Sequence, residues 1–258
     1  MNALKMSGAG NDFVVVDVRG QQPELKALAI QLCKDYDTDG FLAVDISEIA
    51  DFKLHFYNPD GLRGEMCGNG ARCVCKFAYD QGIAPEVMTV ETDAGIVYGW
   101  RLGEALYRIR LNNPGVTDLH RLPDTAYIEL GDPGIPHSVT ECPALDWENK
   151  EILQPEFLAI RHDSAFPKGV NVNFYRRLTD TSVRILTFER GVEDFTLACG
   201  TGSASVAVVL WLRGQLPEGH LTVENPGGTL EITVEGKNEK IEALYLEGPA
   251  ENIREIEM

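Results

Sequence analysis

Along much of this chain apolar and polar positions alternate over short stretches, and a period of two marks strands. Residues 52–57 alternate, and residues 13–17 are β-branched. Residues 88–100 read as a hairpin turning at Asp93-Ala94-Gly95, and residues 106–111, 183–188, 221–224 and 229–234 read as further strands. Asn225-Pro226-Gly227-Gly228 is a turn signal. Three stretches have the helical period. Pro23 opens one, with Leu25, Leu28, Ala29 and Leu32 on one face. Residues 70–81 put Ala71, Val74 and Ala78 on one face, and Gly82 serves as the C-terminal cap. Residues 203–213 are apolar nearly all round and stop at Gly214; composition alone also allows a buried strand, while the length and the alignment with the helix at 70–81 favour a buried helix. Few helices among many strands predict an α+β fold.

The pattern also repeats. Phe56 closes a strand-like run, and after a Gly-containing loop comes Met66-Cys67-Gly68-Asn69-Gly70-Ala71. Phe188 closes another, and after a loop comes Ala198-Cys199-Gly200-Thr201-Gly202-Ser203. The two Phe and the two Cys are each 132 residues apart (188 − 56 and 199 − 67). Val90-Glu91 with Gly95 recurs as Val223-Glu224 with Gly228, 133 residues on (223 − 90). Ala105-Leu106-Tyr107 recurs as Ala243-Leu244-Tyr245, 138 on (243 − 105). Landmarks kept in one order at nearly one spacing define two homologous, pseudo-symmetric halves. Each is expected to be a curled, mostly antiparallel sheet around a central helix. The expected division is 1–113, carrying Cys67, and 114–247, carrying Cys199, with the segment from about 248 to 258 packing back onto the first half.

Composition narrows the function classes. The chain has 258 residues, 44% hydrophobic and 24% charged, with a formal charge of −17 from 23 Lys+Arg against 40 Asp+Glu. So acidic a chain repels phosphate backbones and anionic bilayers, so neither nucleic acid nor membrane is expected as a partner. The N-terminal residues lack a signal-peptide core, and the longest apolar run, 206–212, is far short of the ~20 residues that span a bilayer. A cytoplasmic protein with reduced cysteines is expected. Cys67, Cys73 and Cys75 do not have zinc-site spacing, and no metal is expected. Cys33, Cys73, Cys75 and Cys142 read as small buried hydrophobes.

Cys67 and Cys199 differ from those four. Each stands in a Gly-rich turn immediately before a helix. There the unpaired N–H groups and the positive helix end suit a carboxylate, and the same field favours thiolate over thiol, lowering a cysteine pKa from ~8.5. Glycines 68, 70, 200 and 202 allow close backbone approach, and Asn69 and Thr201 add polar side chains. If the repeat brings two such turns to one ligand, a thiolate removes hydrogen from one face of a carbon while a thiol supplies one to the other.

These residues also resemble a family. Lys5-Met6, Gly8 and Gly10-Asn11-Asp12-Phe13-Val14 match the opening signature of diaminopimelate epimerases. Phe56-Tyr57-Asn58-Pro59-Asp60-Gly61, Glu65-Met66-Cys67-Gly68-Asn69-Gly70-Ala71-Arg72-Cys73, Glu189-Arg190-Gly191, Thr196-Leu197-Ala198-Cys199-Gly200-Thr201-Gly202 and Gly248-Pro249-Ala250-Glu251 match as well. The resemblance implies an epimerase without pyridoxal phosphate or metal, acting on a small amino acid between two similar halves, with LL- to meso-diaminopimelate as the expected reaction. It implies Cys67 and Cys199 as the acid/base pair, His137 and Glu189 as their polar partners, and Gly68, Asn69, Gly200 and Thr201 as the α-carboxylate cradle. Asn11 becomes a ligand-positioning group, and Asn58, Asn171 and Arg190 a clamp on the distal end of the substrate. Singly, each has an ordinary reading: Asn58 a turn residue, His137 a satisfied core histidine, Glu189 and Arg190 a surface ion pair, Asn11 a loop or cap residue. Ser7, Ala9, Ile135 and the stretch 36–40 depart from the family pattern. Ile135 stands where an asparagine is usual. That departure supports a second expectation, racemisation of another amino acid such as histidine. A third is a thiol redox or carboxylate-binding module. The sequence leaves the oligomeric state open, a homodimer included.

Overall fold

The computed structural model describes residues 2–64 and 66–257. Glu65, the first residue of one cysteine motif, therefore lies outside the described residues. The chain forms two compact units, residues 1–110 with 247–258, and residues 111–246. The class is α+β as the alternation predicts: mostly strands, with four α-helices among the described residues.

The first unit contains β1 (Ala3–Gly8), β2 (Asn11–Asp17), α1 (Leu25–Tyr36), β3 (Gly40–Asp45), β4 (Phe52–Tyr57), β5 (Arg63–Gly64), α2 (Gly68–Asp80), β6 (Val87–Thr92), β7 (Gly95–Arg101) and β8 (Leu106–Leu111). β1 and β2 pair antiparallel, α1 crosses over to a parallel β2–β3 pair, and β3–β4 is antiparallel. α2 then crosses over to a parallel β4–β6 pair, followed by antiparallel β6–β7 and β7–β8. α2 touches β1, β2, β3 and β7, so the sheet wraps round it. This explains why residues 68–78 of α2 are buried on every side. α1 covers the opposite face, its Ala29, Leu32 and Cys33 packing on Val14, Val16, Phe41 and Ala43.

The second unit repeats this order with β9 (Pro114–Leu122), β10 (Thr125–Gly131), β11 (Gly134–Glu141), α3 (Lys150–Arg161), β12 (Asn171–Arg177), β13 (Ser182–Glu189), β14 (Asp194–Thr196), α4 (Gly200–Leu212), β15 (His220–Asn225), β16 (Gly228–Lys237) and β17 (Lys240–Pro249). β10–β11 is antiparallel, β11–β12 parallel across α3, β12–β13 antiparallel and β13–β15 parallel across α4. α4 touches β10, β11, β12, β15 and β16, the counterpart of α2. β18 (Glu251–Glu255) pairs antiparallel with β1, just as β9 does with β10. α3 buries Leu153 and Phe157, and Phe157 stacks on Phe174 at 4.0 Å and meets Phe195 edge-on at 5.0 Å. Aromatic pairs of this kind are worth ~0.5–1.5 kcal/mol beyond their burial.

Two differences from the sequence pattern have physical causes. α3 was not expected, because Pro155 stands inside it and proline removes a helical N–H. Pro155 is exposed, as is Glu151, whose carbonyl loses its helical N–H donor. The repeat is also shifted by one residue in the strands before each cysteine. Gly70 of α2 comes against Leu42 and Gly202 of α4 against Asn173, a spacing of 131 (173 − 42). Phe56 pairs with Leu42, whereas Asn173 pairs with Thr187. Phe188 pairs with Val172 and faces the α3 core. Phe56 and Phe188 therefore point to different faces, because one residue of shift reverses a strand's faces.

Candidate active site

In the first unit Cys67 is the N-cap of α2. Its backbone is extended (φ −128, ψ 123), and its carbonyl accepts the first helical bond, from Ala71 N at 2.7 Å. The amides of the first helical turn have no intrahelical acceptor and form an anion-receptive end. Cys67 is half-buried, whereas Gly68 and Asn69 are buried. Asn69 Nδ2 donates to Asn11 Oδ1, and Asn11 Nδ2 donates to Asp39 Oδ2 at 3.4 Å. Beneath them Arg72 Nη2 donates to Asn69 Oδ1 at 2.9 Å. The turn is thus held by a polar chain running Arg72–Asn69–Asn11–Asp39. Asn58 opens the turn after β4, where its N donates to Leu62 O at 2.8 Å and its O accepts from Gly61 N at 2.9 Å. Among the described residues, no hydrogen bond joins Asn58 to Cys67, Gly68, Asn69 or Asn11.

In the second unit Cys199 is the N-cap of α4 (φ −114, ψ 106), and its carbonyl accepts from Ser203 N at 2.9 Å. Here the sulfur itself caps the helix: Gly202 N donates to Cys199 Sγ at 3.3 Å, and Thr201 Oγ1 lies 3.6 Å from it. Cys199 is buried, as are Gly200 and Gly202, while Thr201 is half-buried. Under Gly202 lies Asn173 Oδ1, so close that a Cβ at 202 would overlap it.

Asn173 organises the rest. It is fully buried, accepts from Thr187 Oγ1 at 2.9 Å and donates from Nδ2 to Ser138 O at 2.8 Å and Asn171 O at 3.2 Å. Two carbonyls fix the amide's orientation, since only the NH2 can donate to them. The same Nδ2 lies 3.2 Å from His137 Nδ1. An amide nitrogen is no acceptor, so Nδ1 is the bare nitrogen and Nε2 carries the proton. His137 is fully buried, and its Nε2 has no hydrogen-bond partner among the described residues. Burial, then the charge of Arg190, pushes its pKa down to about 3. At neutral pH it is a neutral N–H donor.

Asn171 joins this cluster to Arg190. Its Nδ2 donates to Pro136 O at 3.1 Å, and its Oδ1 accepts from Arg190 N at 2.8 Å. Glu189, half-buried, ends β13, and Arg190, exposed, begins the turn that Gly191 completes at φ +94, a conformation that favours glycine. Arg190 Nη1 donates to Lys168 O at 2.7 Å. The structure therefore gathers Cys67, Gly68, Asn69 and Asn11 in one unit. In the other it gathers Cys199, Gly200, Thr201, His137, Asn171, Glu189 and Arg190. Sequence reasoning assigned no role to Asn173, Thr187 or Arg72. The signal for Asn173 was the alternation Asn171-Val172-Asn173-Phe174, which puts two amides on one strand face. Among the described residues no group of His, Cys, Asp and Glu is arranged to hold a metal, and no helix is long and apolar enough to cross a membrane.

Comparison with known proteins adds independent findings. The sequence model of the family described as diaminopimelate epimerase matches residues 3–100 and 132–253. A diaminopimelate epimerase of Chlorobaculum tepidum is 35% identical over 261 residues, covering 95% of this chain and 96% of that protein. One from Aquifex aeolicus is 32% identical, covering 96% and 94%. Among solved structures, a phenazine biosynthesis protein of the PhzF family from Bacillus anthracis has a TM-score of 0.78 at 16% identity, covering 100% of this chain and 98% of its own. That likeness shows a shared fold.

Proposed function

Because this chain belongs to the diaminopimelate epimerase family, we propose that it inverts one α-carbon of diaminopimelate, LL to meso and back, with Cys67 and Cys199 as the acid/base pair. The observation that supports this most is the duplicated cap: each unit puts one cysteine at the N-terminus of its central helix, beside first-turn amides that have no backbone acceptor within the helix. In this reading the α-carboxylate sits on those amides, which stabilise the negative charge that develops as the hydrogen leaves. One sulfur, as thiolate, takes the α-proton and becomes a thiol. The other, as thiol, gives a proton to the opposite face and becomes a thiolate. The roles exchange in the reverse direction, no electrons are transferred, and no cofactor takes part.

The remaining roles belong to the same proposal. His137 serves as a neutral Nε2–H donor, Glu189 as a second polar partner of the cysteines, and Asn11 with Asn69 as the support of the first cradle. Arg190 takes the distal carboxylate, with Asn58 as a further contact, and Asn171 holds the Arg190 backbone in place. The same reading places the enzyme in the cytoplasm, with a small amino acid as its only required partner. Incubation with LL-diaminopimelate in heavy water tests the reaction. Deuterium at the α-carbon is expected, and folded protein that incorporates none would refute it.

Ile135 favours a second reading. It lies two residues before His137 on β11, and so on the same strand face. Its apolar side chain suits a substrate with a less polar distal group. Chiral chromatography of a panel of L-amino acids, histidine included, separates the two. Turnover of diaminopimelate far above all others supports the first reading and ends the second.

A further inference from the structure

Among the described residues of the first unit Arg72 is the most deeply buried charge, with no exposed surface at all. Its guanidinium donates to Pro249 O at 3.3 Å, Gly68 O at 3.3 Å and Asn69 Oδ1 at 2.9 Å. All three acceptors are neutral, and no carboxylate pairs with Arg72 among the described residues. A buried, uncompensated cation is costly. The fold does not demand it: the position 132 residues on, in α4, is Ala204, also fully buried.

What compensates the charge is decided by the neighbours. The ionisable groups whose charged forms favour Arg72 are Cys73, Cys67 and Cys75. Burial pushes both Cys73 and Cys75 up to about 12, so both are thiols at neutral pH. Cys67 alone of the three is only half-buried, at the open end of α2, next to the residue whose carbonyl Arg72 holds.

We propose that Arg72 is the fixed counter-cation of an ionised Cys67 and that it acts through this turn as a positioning residue. The inference rests on the reading of Cys67 as an acid/base sulfur and adds which sulfur is the resting base. One guanidinium does two things. It clamps Gly68 and Asn69, fixing the cradle and the Asn69–Asn11 contact, and it supplies positive charge from the dry side of the helix. In the second unit the position equivalent to Arg72 is Ala204, and Gly202 N donates to Cys199 Sγ.

The test is the pH dependence of iodoacetamide alkylation at Cys67, read by peptide mass spectrometry on the full-length protein without substrate. In the unaltered protein the midpoint is expected below the free-cysteine value of ~8.5. In Arg72→Met it rises by about one pH unit or more, and in Arg72→Lys, which keeps the charge, it returns most of the way. An unaltered protein titrating at or above the free value overturns the proposal without any variant. So does a folded Arg72→Met with an unchanged midpoint, which leaves Arg72 a purely structural clamp. No substrate enters this measurement, so its failure is separate from a failure of the epimerase reading, which is judged by turnover.

Discussion

Asn173 Nδ2 faces His137 Nδ1 at 3.2 Å, and this contact sets the imidazole's tautomer. With two backbone carbonyls holding the amide in place, His137 presents Nε2–H and does not exchange protons near neutral pH. In the proposed reaction it can therefore polarise as an N–H donor but not act as a titrating base.

The first prediction concerns acid stability. The folded-state pKa of His137, about 3, lies below the ordinary 6.5. Between those values the unfolded chain binds the proton and the folded one does not. The contribution is therefore complete above pH 6.5 and is lost progressively as pH falls towards 3. His137→Gln removes this term, so its loss of stability from pH 7 to pH 4.5 should be smaller than the unaltered protein's by on the order of 2 kcal/mol. Urea unfolding at the two pH values measures it.

Gly202→Ala and Gly70→Ala should differ in cost. A Cβ at 202 overlaps Asn173 Oδ1, and bonds from Thr187 and to the Ser138 and Asn171 carbonyls hold that amide still. A Cβ at 70 comes 3.3 Å from a methyl of Leu42, whose side chain can yield. Thermal unfolding should show a loss of ~1–3 kcal/mol for the first and a smaller change for the second, where helix propensity offsets part of the strain. Turnover should fall with Gly202→Ala, because Asn173 and the Cys199 cap move together.

Asn171→Ala leaves the Arg190 amide and the Pro136 carbonyl without their partner. Stability should fall by ~1–3 kcal/mol. Steady-state kinetics should show KM rising more than kcat falls, because the role proposed for Arg190 is to bind the distal group, apart from proton transfer.

Thiol labelling should be selective. Burial pushes Cys73 and Cys75 up to about 12 and raises Cys33 and Cys142 above the ordinary thiol value. Brief alkylation of the native protein at pH 7.5 should mark Cys67 and Cys199 before any of these four. Mass spectrometry that finds Cys73 or Cys75 marked first contradicts the assignment.

Much of this site was legible because glycine turns and cysteines are local signals. The Cys67 and Cys199 turns, the helices that follow them and the duplication could all be read from residue type and spacing. α3 was hidden by Pro155, because proline removes a helical N–H and reads in the sequence as a helix breaker, whereas here it lies on an exposed position of the helix. The pairing of Phe56 with Phe188 failed for a similar reason: the same residue type sits on opposite faces of equivalent strands. Asn173 and Arg72 were missed because a polar residue in a strand or helix is ordinarily a surface residue. Their burial against the two turns appears only once the sheets curl around α2 and α4.

The central claim, that two sulfurs share the proton transfer, is tested most directly by replacing each alone. Cys67→Ser and Cys199→Ser should each abolish interconversion of LL- and meso-diaminopimelate while leaving substrate binding largely intact by calorimetry. Full turnover in either single variant contradicts the account.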